Sequence, residues 1–88
     1  MWSPDRAGQW AAVLAEVTAR DALDGGVRLR FDLRHVRVGE LADLAAAEAG
    51  CCALFDLTLR LGRGPALEVR APDDAQELVY ELFGGPDR

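Results

Sequence analysis

The residues of this 88-residue chain best suited to chemistry are its two cysteines, Cys51 and Cys52, which are adjacent. Neighbouring Cα atoms lie about 3.8 Å apart, below the roughly 4.4–6.8 Å that a disulfide spans, so the pair does not read as a structural staple. Taking about 100° per residue from Leu41, Glu48 falls near 340° and Cys52 near 20°, in the middle of an apolar helical stripe, with Cys51 at its edge. A carboxylate there must find a partner or change its protonation state. Cys51, Cys52 and Glu48 thus form a soft, partly anionic cluster at the end of a helix.

The position of the cluster on that helix separates two kinds of chemistry. A catalytic thiolate is usually stabilised at a helix N-terminus or beside a cation. These thiols sit at a C-terminus, whose partial negative charge favours thiol over thiolate and attracts a bound cation. Nucleophilic catalysis is therefore disfavoured, and binding of a soft metal ion such as copper, zinc or mercury stays open. So does the plainer alternative, in which the cysteines are small core residues.

The other polar residues suggest less. His35, the single histidine, lies roughly 18 Å from Cys51 by helix rise and reads as a solvated loop residue. Arg28, Arg30, Arg34 and Arg37 form an arginine-rich stretch without aromatic interleaving, balanced by Asp32 and Asp56, which reads as an exposed strand face. Gly25-Gly26 and Gly62-Arg63-Gly64 are turns without the strand-to-helix setting of a phosphate-binding loop. No Ser-His-Asp set or catalytic carboxylate pair is recognisable, so the chain is not expected to be an enzyme.

Hydrophobic periodicity supplies the elements that would position these residues. Ser3-Pro4 and Asp5 open a helix, and Trp10, Val13, Leu14 and Val17 carry it to about Arg20. Val27, Leu29, Phe31 and Leu33 alternate with Arg28, Arg30, Asp32 and Arg34, the pattern of a strand covered on one face. A second helix follows over about Gly39–Cys51. Leu57, Leu59 and Leu61 mark a second strand, and Leu67, Val69 and Ala71 a third beyond the hairpin Gly62-Arg63-Gly64-Pro65. A last helix begins at Pro72-Asp73-Asp74, buries Leu78, Val79, Leu82 and Phe83, and stops at Gly84-Gly85-Pro86. The expected fold is α+β in the order α-β-α-β-β-α: a three-stranded sheet with helices on one face, an incomplete ferredoxin-like (split βαβ) arrangement. One domain spans 1–88, with an N-terminal helix at 3–20 and a Cys-Cys core at 26–84. A sheet this small leaves a face and edges for a second chain, so a homodimer is expected.

Composition bounds the partners. Ten basic against fifteen acidic residues give a net charge of −5, which repels phosphate backbones and disfavours nucleic acid. No window approaches a membrane span and no secretory signal pattern opens the chain, so a cytoplasmic location is expected. Every basic residue is Arg, and Lys, Ile and Asn are absent, a bias of a GC-rich genome.

The run from Leu44 to Leu59, with Glu48-Ala49-Gly50-Cys51-Cys52 at its centre, resembles a small bacterial domain marked by a Glu-Ala-x-Cys-Cys signature. Leu67-Glu68-Val69-Arg70-Ala71-Pro72 and Leu82-Phe83-Gly84 fit its ending, so the likeness covers about residues 26–84. Such domains occur alone in high-GC bacteria, downstream of MerR-type DNA-binding domains and near mercury-resistance functions. Leu54 and Leu57 stand here where many relatives carry aromatics, and no helix-turn-helix is present. The resemblance implies a sensor-like or metal-binding module. Two functions follow: a soft-metal-binding or metal-sensing module using the adjacent cysteines Cys51 and Cys52, with Glu48 as third ligand or as a supporting base, or a non-catalytic dimerisation or protein-interaction module with the cysteines in its core.

Overall fold

The computed structural model describes residues 4–51, 54–62 and 64–85. Helix α1 spans Pro4–Leu14, strands β1 and β2 span Val17–Leu23 and Gly26–Phe31, and helix α2 spans Val38–Cys51. Strands β3 and β4 follow at Asp56–Arg60 and Ala66–Arg70, then a 3-10 turn at Asp73–Ala75 and helix α3 at Gln76–Phe83. The α+β class agrees with the sequence. The sheet, however, has four antiparallel strands in the order β1-β2-β4-β3, not three.

The extra strand replaces the end of the expected 3–20 helix and continues to Leu23. The helix ends at Leu14, where Glu16 N–H donates to Val13 O at 3.0 Å and tightens the last turn. Val17 and Thr18 are β-branched and stiff at χ1, which favours the extended chain that begins there. Asp24-Gly25 then serves as a hairpin turn rather than a helix stop, with Gly25 at φ +85°, a conformation that side chains strain to adopt. The split-βαβ pattern expects its missing edge strand from the C-terminal end of the chain. Here the N-terminal strand β1 fills that place beside β2, so the sheet is not incomplete and the order is α-β-β-α-β-β-α.

Two boundaries also shift. Strand β2 stops at Phe31 because the Asp32 carboxylate accepts the Arg34 N–H at 2.9 Å, closing a local turn. Leu33, expected on the inward face, is consequently 60% exposed. Leu61, past the end of β3, is 66% exposed. Val27 and Leu29 of β2 and Leu67 and Val69 of β4 are fully buried, and the helices cover this face. Trp10 packs edge-to-face on Phe83 with ring centroids 5.1 Å apart, so α1 touches α3 as well as α2.

Close backbone approach fixes one residue type. A Cβ at Gly26 would run into the Val69 carbonyl across the β2–β4 ladder. The expected C-terminal stop is present: Gly84, at φ +94°, donates its N–H to Tyr80 O, while Arg20 of β1 donates to Phe83 O at 2.9 Å. A cation at the last turn also complements the helix dipole.

Candidate functional site

Glu48 lies on the core side of α2 and is 2% exposed, as its place in the apolar stripe requires. Its Oε1 accepts the Trp10 indole N–H at 3.1 Å and lies 3.9 Å from Arg6 Nη1. Both partners come from α1, so this buried acid is what α1 docks onto. Helix α2 runs to Cys51, its last described residue. Cys52 lies outside the described residues, as does the Cys51 side chain. Among the described residues no group of three or more His, Cys, Asp and Glu side chains is placed to hold a metal ion. His35 lies in the turn before α2, with that 14-residue helix between it and Cys51.

A second cluster lies on the opposite face of the sheet. Alternation along β4 turns Leu67 and Val69 toward the helices and Glu68 and Arg70 the other way. The ladders set Arg28 of β2 on one side of Glu68 and Thr58 of β3 on the other. Arg28 Nε, Arg60 Nε and Arg70 Nη1 donate to the Glu68 carboxylate at 3.0, 2.8 and 3.1 Å. Arg30, next along β2, pairs with Asp21 of β1.

Glu68 has no exposed surface although, among the described residues, no helix covers it. Its seal is a layer of guanidiniums one side chain thick, with the Arg28, Arg60 and Arg70 side chains 36%, 61% and 36% exposed. Loss of water by itself raises the Glu68 carboxyl pKa. The hydrogen bonds from Arg70, Arg28 and Arg60 outweigh that effect and hold it below its ordinary value. A shallow depression lined by Arg28, Arg30, Gly64, Pro65 and Ala66 adjoins the cluster.

The sequence stretch Arg28, Arg30, Arg34, Arg37 does not form one surface. Arg28 and Arg30 join the sheet face, whereas Arg34 pairs with Asp32 in the following turn, where Asp32 is held at a pKa of about 2 by the side-chain and backbone hydrogen bonds of Arg34. The members that sequence reading missed are Glu68, Arg60 and Arg70. Their signal was available: Asp56-x-Thr58-x-Arg60 and Ala66-x-Glu68-x-Arg70 are the polar halves of two alternating strands joined as a hairpin.

Among the described residues no helix is long and apolar enough to cross a membrane. No protein-family model, curated protein or solved structure matches the chain.

Proposed function

We propose that the protein is a non-catalytic interaction module whose uncovered sheet face receives an acidic segment of a protein partner. The observation that carries this reading is the convergence of three guanidiniums on one sealed carboxylate. Three guanidiniums hold far more N–H donors than the roughly four acceptor positions of one carboxylate, so donors remain for an incoming anion. The charges also segregate. Arg28, Arg30, Arg60 and Arg70 against Asp21, Asp56 and Glu68 leave this face at +1 in a chain of −5. A planar guanidinium recognises a carboxylate bidentately, which suits Asp and Glu side chains. A cytoplasmic setting belongs to the same reading.

The test is anisotropy of a fluorescein-labelled hexaglutamate peptide, with hexalysine as control. Saturable, salt-sensitive binding of the acidic peptide only is expected. Glu68→Gln, which removes the internal anion, should tighten binding, and Arg30→Gln should weaken it. Equal binding of both peptides, or no response to either substitution, overturns the reading.

A second reading, soft-metal binding by Cys51 and Cys52, draws support from the end of α2 at Cys51, where the helix dipole favours a cation. Its resemblance to Glu-Ala-x-Cys-Cys domains points the same way. With Oε1 already engaged by Trp10 and Arg6, Glu48 suits this reading as a support for the helix end rather than as a third ligand. Calorimetry with Cu(I), Zn(II) and Hg(II) tests it: binding of one ion, lost in both Cys51→Ser and Cys52→Ser, supports the site, and no binding removes it.

A further inference from the structure

We infer that the outer edge of β3 pairs with the same edge of a second copy, antiparallel and centred on Thr58, to join two four-stranded sheets into one. The strand reads Asp56-Leu57-Thr58-Leu59-Arg60 and, among the described residues, is an edge of the sheet. Its charge pattern is complementary to itself. An antiparallel pairing about Thr58 sets Asp56 against the second copy's Arg60, Leu57 against Leu59, and Thr58 against Thr58. Opposite charges and Thr–Thr pairs at facing positions are each stabilising. The register is specific. A two-fold axis normal to the sheet keeps both helical layers on one side and must pass through a residue. Shifting it to Leu57 or Leu59 loses both charge pairs and shortens the overlap.

The chemistry on both faces is compatible. Arg60 donates to Glu68 through Nε, which leaves its terminal nitrogens to reach Asp56 across the seam. On the other face Leu57 and Leu59 are half-buried beneath α2, and pairing extends that apolar row.

Helix α2 supplies an independent observation. Its Glu40, Asp43, Leu44 and Ala47 flank faces α1, and the helix packs over β3. By helical geometry the opposite flank carries Ala42, Ala46 and Ala49, turned away from α1. Ala46 and Ala49 are exposed. An alanine flank lets two α2 helices approach closely above the joined strands.

The other edge lacks these properties. Strand β1 has a bulge between Val17 and Ala19, a device that blunts edges, and self-pairing about its centre would set Arg20 against Arg20.

The pairing and acidic-peptide binding share Arg60, but their tests are separate, because self-association is read by sedimentation without any peptide. Sedimentation from micromolar to millimolar protein should show a concentration-dependent dimer for wild type. Asp56→Arg and Arg60→Glu should each weaken self-association by roughly tenfold or more, since both symmetry-related pairs turn repulsive. An equimolar mixture of the two variants should dimerise again, because both facing pairs become opposite in charge. If Arg60→Glu fails to fold, Thr58→Cys in a Cys51→Ser, Cys52→Ser background decides: mild oxidation should give a covalent dimer. A wild type that stays monomeric throughout, an Asp56→Arg variant that dimerises like wild type, or a Thr58→Cys variant that does not cross-link overturns the inference.

Discussion

The Trp10 indole N–H donates to Glu48 Oε1 at 3.1 Å, joining the N-terminal helix to a carboxylate of α2 that is 2% exposed. Trp10 is itself fully buried and packs on Phe83 of the last helix. One side chain therefore ties α1 to α3 by ring packing and to α2 by a charge-assisted hydrogen bond.

Removing that donor should be costly out of proportion to the change in shape. Trp10→Phe keeps an aromatic ring on Phe83 but leaves Glu48 short of a partner, a loss of about 1–3 kcal/mol for a buried unsatisfied group. Glu48→Gln, which still presents an acceptor, should cost less. Urea unfolding checks both, and a double-variant cycle should return a coupling of about 0.5–3 kcal/mol. Independent, additive effects would show that the bond contributes nothing.

The Glu68 cluster makes stability depend on acid in a defined direction. The folded-state pKa of Glu68 lies below its ordinary value, so its contribution is present above the ordinary pKa near 4.5 and is lost as pH falls through the folded value. Glu68→Gln leaves three guanidiniums without their internal anion and should be less stable at pH 7. The gap in melting temperature between the two proteins should narrow as pH falls below 4.5. A gap independent of pH would count against an ionised, arginine-held Glu68.

Gly26 is the position where a single methyl group should do most harm. Its Cβ would meet the Val69 carbonyl in the middle of the sheet, and backbone cannot swing aside as a side chain can. Gly26→Ala should destabilise by about 1–3 kcal/mol or more, as overpacking does. Gly8→Ala, where a Cβ meets nothing and lies within α1, should instead be neutral or stabilising. Thermal melts of the two variants give the comparison.

The elements legible in the sequence were those with a strong period. Alternation found β2, β3 and β4, and the helical stripe of Leu41, Leu44 and Glu48 placed α2 and the buried acid correctly. The strand β1 was hidden because Ala11, Ala12, Ala15, Ala19 and Ala22 fit a helix or a strand equally well. Alanine has the highest helix propensity and so biased the reading toward one long helix. The Glu68 cluster was hidden for another reason. Sequence shows which residues share a strand face, but only the ladder shows that Arg28, some 40 positions away, lies beside Glu68.

The strand order has a kinetic consequence. Strands β1 and β2 form one hairpin and β3 and β4 another, so most of the ladder closes between near neighbours in the chain. The β2–β4 ladder is the one pairing that must wait for a distant partner, and it holds both Gly26 and the Arg28–Glu68 contact. Within the sheet, the largest loop-closure cost falls on that seam. Substitutions along it should slow folding, whereas substitutions confined to the β1 edge should chiefly speed unfolding.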